Sequence, residues 1–199
     1  MRLFRPVILA GCFYPDALFR VKTTEKILYL TFDDGPDPHS TPYLLDILEK
    51  NSIHAFFFCR GSAASEYPDL TELIRSKGHS IGNHGYNHLN GWRTRNTDYV
   101  ADVEMASELT SNSIFRPPYG KISFTQMELL KNYKLVFWDL MAYDFDKTFG
   151  PLKTLDTLKR KIRPGSIILL HDNSGSCANT IIQEFLEYAS EKGYRFGQI

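Results

Sequence analysis

Cysteine is scarce in this chain of 199 residues: only Cys12, Cys59 and Cys177 occur, odd in number, far apart and without a CxxC pair. That excludes a disulfide framework and a zinc knuckle as organising devices. An excess of either charge is missing too, since 23 basic side chains balance 23 acidic ones. Without a block of like charge, the chain is not built for non-specific nucleic-acid binding or for docking on an anionic membrane. No apolar run approaches the ~20 residues of a membrane span. Asn-x-Ser/Thr sequons are absent, so glycosylation gives no clue to compartment. There is no internal repeat, no low-complexity segment and no glycine-rich nucleotide turn after the first apolar run.

The beginning of the chain carries one ambiguous signal. Leu9-Ala10-Gly11-Cys12 resembles a bacterial lipoprotein cleavage site. The apolar stretch before it is shorter than the ~7–15 residues of a signal h-region. A plain N-terminal strand is the expectation there.

What is present is an apolar content of 43% and an aromatic content of 14%. The length suits one domain with a single core. Short apolar runs alternate with amphipathic segments. Ile27 to Leu30, Ala55 to Cys59, His79 to Ile81, Ile114-Phe115, Leu135 to Trp138, Ile167 to Leu170 and Tyr194 to Phe196 read as strands. Between them lie predicted helices. Thr41 caps one, with Pro42 at its first position and Leu44, Leu45 and Leu48 as its buried stripe. Leu70, Leu73 and Ile74 mark a second, stopped by Gly78. Thr97 caps a third, carrying Val100, Val103 and Leu109. Phe124 to Leu130, Leu155 to Ile162 and Ile181 to Tyr188 complete the set. Alternating strands and helices imply a parallel sheet with helical crossovers. The chain is shorter than the ~250 residues of a full eight-fold barrel. The expected fold is therefore α/β, a compact, distorted or incomplete (β/α) barrel in a single domain, with a doubly wound open sheet as the alternative.

Ionisable residues recur where the predicted strands end. Asp33 and Asp34 follow the first; His84 and His88 follow Ile81; Arg116 follows Phe115. Asp139 and Asp144 follow Trp138, and His171 and Asp172 follow Leu170. Strand C-termini of a parallel barrel open onto one face, so five segments are expected to meet in one cleft. His84-x-x-x-His88 places both rings on one side of a helix, or together in a tight loop. Two imidazoles and a carboxylate make a mononuclear site suited to Zn²⁺, Co²⁺ or Fe²⁺. Asp33-Asp34-Gly35-Pro36 is turn chemistry. Adjacent residues of an extended chain point opposite ways, so one aspartate can bind metal while the other takes a proton from water. His39, His54 and His79 are read as structural, and Trp92 as either a sugar-stacking face or loop packing.

In order along the chain, Thr31-Phe32-Asp33-Asp34-Gly35, His84-Gly85-Tyr86-Asn87-His88, Arg116-Pro117-Pro118-Tyr119-Gly120, Asp144-Phe145 and Leu169-Leu170-His171 resemble the five motifs of the polysaccharide deacetylases. This family is also called NodB-homology or carbohydrate esterase family 4, and includes chitin and peptidoglycan deacetylases. The similarity runs from about 27 to 194 within a single domain of 1–199. The resemblance implies a hydrolase that removes N-acetyl groups from N-acetylglucosamine polymers, most readily chitin-like ones. It also implies one divalent metal, zinc or cobalt, held by Asp34, His84 and His88. Asp33 would be the general base, His171 the general acid, Arg116 the residue orienting Asp33, and Asp144 the partner tuning His171. Tyr119 would offer its backbone N–H to the oxyanion. Leu169 would line the acetyl pocket, and Phe145 its aromatic wall. The partner implied is an acetylated glycan met outside the cytoplasm or at the cell wall, by a monomer with no transmembrane segment.

Three positions depart from the family pattern. Gly85 stands where Ser or Thr is usual, Met141 where an Asp opens the fourth motif, and Phe145 where Trp closes it. Loss of a side chain steadying the histidine loop predicts metal binding or activity weakened by ~10–100-fold. Two further readings follow: a weak or silent member that binds glycan or metal, and a deacetylase of another substrate such as acetyl-xylan.

Overall fold

A computed structural model describes residues 4–5, 11, 13–111 and 113–199. The expected N-terminal strand and the Leu9-Ala10-Gly11-Cys12 signal therefore fall almost wholly outside the described residues.

The central strand β1 (Ile27–Asp34) shows the two-residue period that organises the molecule. Leu28, Leu30 and Phe32 pack into one core cluster together with helix residues such as Leu44, Leu48, Ile182 and Phe185. Tyr29 turns to the opposite face and joins a second cluster with Phe58, Phe115, Val136 and Leu169. That second face is the barrel interior, and Thr31 and Asp33 share its register.

Seven further strands are described: β2 (Phe56–Cys59), β3 (Ser80–Asn83), β4 (Ile114–Phe115), β5 (Lys134–Leu135), β6 (Leu140–Met141), β7 (Ile167–His171) and β8 (Arg195–Phe196). They run in the order β5-β4-β3-β2-β1-β7-β6, with β8 also on β1, and every ladder is parallel. The two ends of this path belong to one stretch of chain. β5 pairs with β4, and a few residues later β6 pairs with β7. Between them Val136 bridges to Leu18, and the N–H of Asp139 donates to Ile167 O. The sheet thus curls into an incomplete barrel, as expected. Of the strand expected over 135–138, only Leu135 lies in a strand and Val136 makes an isolated bridge; the chain then bends and β6 follows at Leu140–Met141 on the other edge.

The crossovers are helical. α1 (Thr41–Lys50) buries Leu44, Leu45 and Leu48, while Pro42 sits in its first turn. α2 (Gly61–Glu66) went unforeseen, being short and poor in large apolar residues. α3 (Pro68–Ser76) ends at Gly78, whose φ of 79° closes the helix. α4 (Asn96–Ser107), α5 (Phe124–Leu129), α6 (Gly150–Lys161) and α7 (Ala178–Glu191) follow. Neither expected threonine cap is present. Ser40 and Arg95 hold the N-cap positions, and Thr41 and Thr97 lie inside the first turns. Leu109 lies beyond α4. Among the described residues no helix is long and apolar enough to cross a membrane.

Candidate active site

The cleft opens at the C-terminal ends of the strands and has a volume of about 450 Å³. Asp33, Asp34, His84, His88 and His171 line its polar side. Tyr119, Trp138, Met141, Phe145 and Leu169 form its apolar side.

Asp33 faces inward as the strand alternation requires, and is 3% exposed. Its Oδ1 accepts from Arg116 Nη1 at 2.6 Å, which leaves Oδ2 toward the cleft, 3.7 Å from His84 Nε2. Arg116 is fully buried inside the barrel. It donates to Thr31 Oγ1, Val136 O and Phe137 O as well, and its guanidinium lies 3.9 Å from the centre of the Phe58 ring. Burial lowers the Arg116 pKa and the adjacent Asp33 carboxylate opposes that. The result is a carboxylate with one oxygen clamped and one available.

Asp34 ends β1 in the left-handed region, with φ of 81°. It stays paired with Cys59 at the strand end, and this conformation turns its carboxylate toward the histidines. The expected opposite pointing is not seen, since both aspartates line the cleft, with carboxylate oxygens 3.7 and 3.9 Å from His84 Nε2. Arg60 Nε donates to its carbonyl at 2.9 Å, and Asn173 Nδ2 to its carboxylate at 2.9 Å. Burial works to raise its pKa, but His84, His171, His88 and Arg60 together hold it below the usual carboxylate range.

His84 and His88 lie on a loop, which resolves the helix-or-loop alternative. Gly85 (φ 71°) and His88 (φ 57°) make the tight bend. His88 Nε2 is 3.4 Å from Asp34 Oδ1, and His84 Nε2 is 3.9 Å from it. His84 Nδ1 lies 2.7 Å from Arg116 O. A carbonyl can only accept, so Nδ1 carries the proton and Nε2 keeps its lone pair for the cleft. Burial, assisted by His84, pushes His88 down to about 4, so it stays neutral near pH 7. One donor atom from each of Asp34, His84 and His88 lies within 4.8 Å of the others. A carboxylate and two imidazoles at that spacing suit one divalent cation with open positions.

His171 stands across the ladder from Asp33. Its Nδ1–H donates to Asp144 Oδ1 at 3.0 Å, and its backbone N–H donates to Asp144 Oδ2 at 2.7 Å. Ser176 Oγ donates to the same carboxylate. Burial opposes protonation of this imidazole, yet Asp144, then Asp34 and Asp33, outweigh it and push its pKa up to about 9. His171 is thus protonated while His88 is not. Phe145 packs edge-on to His171, with ring centres 5.0 Å apart.

Two carboxylates expected in the cleft are elsewhere. Asp139 lies at the other end of the barrel, bound to Arg5, Arg163 and Ser166. The bend between β5 and β6 turns it away from the face that Asp144 reaches. Asp172 is buried beneath the cleft, taking a hydrogen bond from Thr41 Oγ1 at 2.6 Å. His79 is buried away from the cleft, its Nδ1 accepting from Ala55 N, consistent with a structural role. Trp92 is 64% exposed and its Nε1 donates to Ile122 O. It does not line the cleft; Lys121 stands between, its ammonium 5.3 Å from the indole centre.

Some contributors went unnoticed in the sequence. Arg60 directly follows β2 and Thr31 opens the first motif, though neither pattern gives a role. Asn173 and Asp102 have no strand-end signal, and only their positions in space connect them to the cleft.

A sequence profile described as Polysaccharide deacetylase matches residues 20–138, more than half of the chain. A peptidoglycan-N-acetylglucosamine deacetylase of Bacillus cereus is 31% identical over 178 residues, covering 84% of this chain and 64% of that protein. The chain thus spans just under two thirds of that relative's length. A chitooligosaccharide deacetylase of Sinorhizobium fredii is 34% identical over 162 residues, 77% of this chain and 75% of that protein. Among solved structures, the Bc1960 peptidoglycan N-acetylglucosamine deacetylase in complex with 4-naphthalen-1-yl-N-oxidanyl-benzamide superposes with a TM-score of 0.84. Its identity is 27%, with 97% of this chain and 95% of that chain covered.

Proposed function

The chain belongs to the polysaccharide deacetylase family, and from that premise we propose that it is a metal-dependent hydrolase releasing acetate from N-acetylglucosamine units of a glycan. The observation that carries this reading is the placement of Asp33 and His171 as facing partners on β1 and β7, beside the Asp34–His84–His88 cluster. Asp34, His84 and His88 would hold one divalent ion, zinc first and cobalt second, which supplies Lewis-acid polarisation of the acetamide and a lowered pKa of water.

The chain's own groups do the rest. Asp33, with Oδ1 held by Arg116, receives the proton of the attacking water at Oδ2. The C–N bond of the acetamide breaks, and His171 gives its proton to the departing amine. Asp144 fixes the imidazole and keeps it charged until then. The backbone N–H of Tyr119 faces the developing oxyanion. Leu169, Met141 and Trp138 enclose the acetyl methyl and exclude water. Phe145 supplies the aromatic wall beside His171.

The domain doing this is placed across residues 27–194. The substrate is a β-1,4-linked, N-acetylglucosamine-containing glycan, chitin-like or of the peptidoglycan type, and the compartment is extracytoplasmic. Met141 and Phe145 favour a second reading, a glycan-binding member with little turnover, because they remove polar groups from beside the acid. Acetate release from chito-oligosaccharides, peptidoglycan and acetylated xylan, with zinc or cobalt supplied, tests both. Release from the first two supports the proposal. Release only from xylan, or none with any metal, overturns it.

A further inference from the structure

Asp102 lies on α4, is 6% exposed and does not line the cleft. A buried carboxylate is costly unless its oxygens are hydrogen-bonded. Among the described residues no Lys or Arg bonds to this one. Its partners are all in the histidine loop. Oδ2 accepts from Tyr86 N at 2.8 Å, and Oδ1 accepts from Asn87 N at 2.9 Å and Asn87 Nδ2 at 2.8 Å. These are charge-assisted bonds to the residues immediately before His88.

Gly85 belongs to the same arrangement. Its φ is 71°, and a Cβ added there would lie 2.8 Å from Asp102 Oδ2. Its N–H donates to Asn83 Oδ1 at 2.7 Å. A side chain at 85 and the carboxylate of Asp102 therefore compete for one space. We infer that Asp102 is the positioning residue of the histidine loop, and that Asp102 and Gly85 are a matched pair in which a carboxylate from α4 does the steadying a side chain at 85 cannot. The expectation that Gly85 weakens the loop is reversed: Gly85 makes room for the clamp. This inference rests on Asp34, His84 and His88 being the metal site.

The test uses the full chain, stripped of metal and titrated with zinc by calorimetry. Asp102→Ala should weaken zinc binding by ~10–100-fold, with Asp102→Asn intermediate because one acceptor oxygen survives. Gly85→Ser should also weaken binding, yet should recover part of the loss when added to Asp102→Ala. Hydrogen exchange at the Tyr86 and Asn87 amides, followed without metal, should quicken in Asp102→Asn. Melting temperatures separate this from general loss of fold. If Asp102→Ala does not fold, the isosteric Asn variant carries the comparison. Zinc affinity within about twofold of wild type in the Asn variant, with unchanged amide exchange, would overturn the inference while leaving the metal site standing. A wild type that takes up no zinc would overturn both.

Discussion

Asp33 and His171 are Cα partners in the β1–β7 ladder, so two neighbouring strands present a carboxylate and an imidazole to the same cleft at the same level. Their environments push them to different tasks. Arg116 holds one oxygen of Asp33, and Asp144 stabilises the charged form of His171. A positioned carboxylate facing a protonated imidazole is what amide hydrolysis needs.

Replacing either should separate chemistry from folding. Asp33→Asn keeps an oxygen for Arg116, and His171→Ala removes a side chain at the cleft edge. Each is expected to lower kcat for acetate release by ~10²–10⁴-fold, the usual worth of a positioned acid or base. Circular dichroism should show both folded. Wild-type rates in either would refute the assigned roles.

Arg116 should behave differently, because it is structural as well. Its guanidinium is wholly buried and bonds four groups on two segments. Truncation to Ala would strand the Asp33 carboxylate, and breaking a buried pair costs about 3–5 kcal/mol. Urea unfolding measures this directly. Lys is not expected to rescue it, since a single ammonium cannot span Asp33, Val136 and Phe137.

The pH profile should carry the signature of His171. Its folded pKa of about 9 lies above the ordinary imidazole value of 6.5. The stabilisation of the charged imidazole is therefore complete below the unfolded value and is lost as pH rises through about 9. Activity should fall over the same alkaline limb as the acid loses its proton. Asp144→Asn should move that limb down by about one unit or more, because it removes the nearby opposite charge. A limb that does not move would separate Asp144 from His171.

Chelation should abolish acetate release, and zinc should restore it. His88 is already neutral above about 4, so protonation of this ligand should not limit loading at neutral pH. Zinc affinity should fall as acid protonates the ligands, which must be deprotonated to bind. Titration of His88→Ala with zinc should show weaker binding at every pH.

Much of this was legible because strand ends announce themselves. Apolar runs of four or five residues locate β1, β2 and β7, and Asp33, Asp34 and His171 at the ends of β1 and β7 are in the cleft. The bend between β5 and β6 was not legible. Leu135 to Trp138 has the composition of one strand, yet only Leu135 lies in β5, and the bend before β6 leaves Asp139 at the far end of the barrel. Asp102 was hidden for another reason. It sits among polar helix residues, and nothing in its local pattern says that α4 passes behind the histidine loop. Gly85 read alone is a missing hydroxyl; read against Asp102 it is a vacancy that the carboxylate fills.

The last expectation concerns Asp172, next to the acid but used by none of the chemistry. Its Oδ2 accepts from Thr41 at 2.6 Å, and its Oδ1 is buried without a partner among the described residues. Burial is the main cause that pushes its pKa up to about 7, against partial relief from Thr41 and Ser40. The raised value means that ionisation works against the fold: this group favours the native state at low pH, and that contribution disappears as pH climbs through about 7. Asp172→Asn keeps the shape and an acceptor for Thr41 while removing the charge. The Asn protein should melt higher than wild type at pH 8 and approach it only below about 3.8, where the unfolded carboxyl is protonated too. Gly35 marks how tight the packing is, since a Cβ there would come within 2.2 Å of Asp172 Oδ2. Gly35→Ala should therefore destabilise the chain by ~1–3 kcal/mol, the usual cost of overpacking. Equal melting temperatures for wild type and Asp172→Asn at pH 8 would show that the carboxylate finds its compensation in some other way.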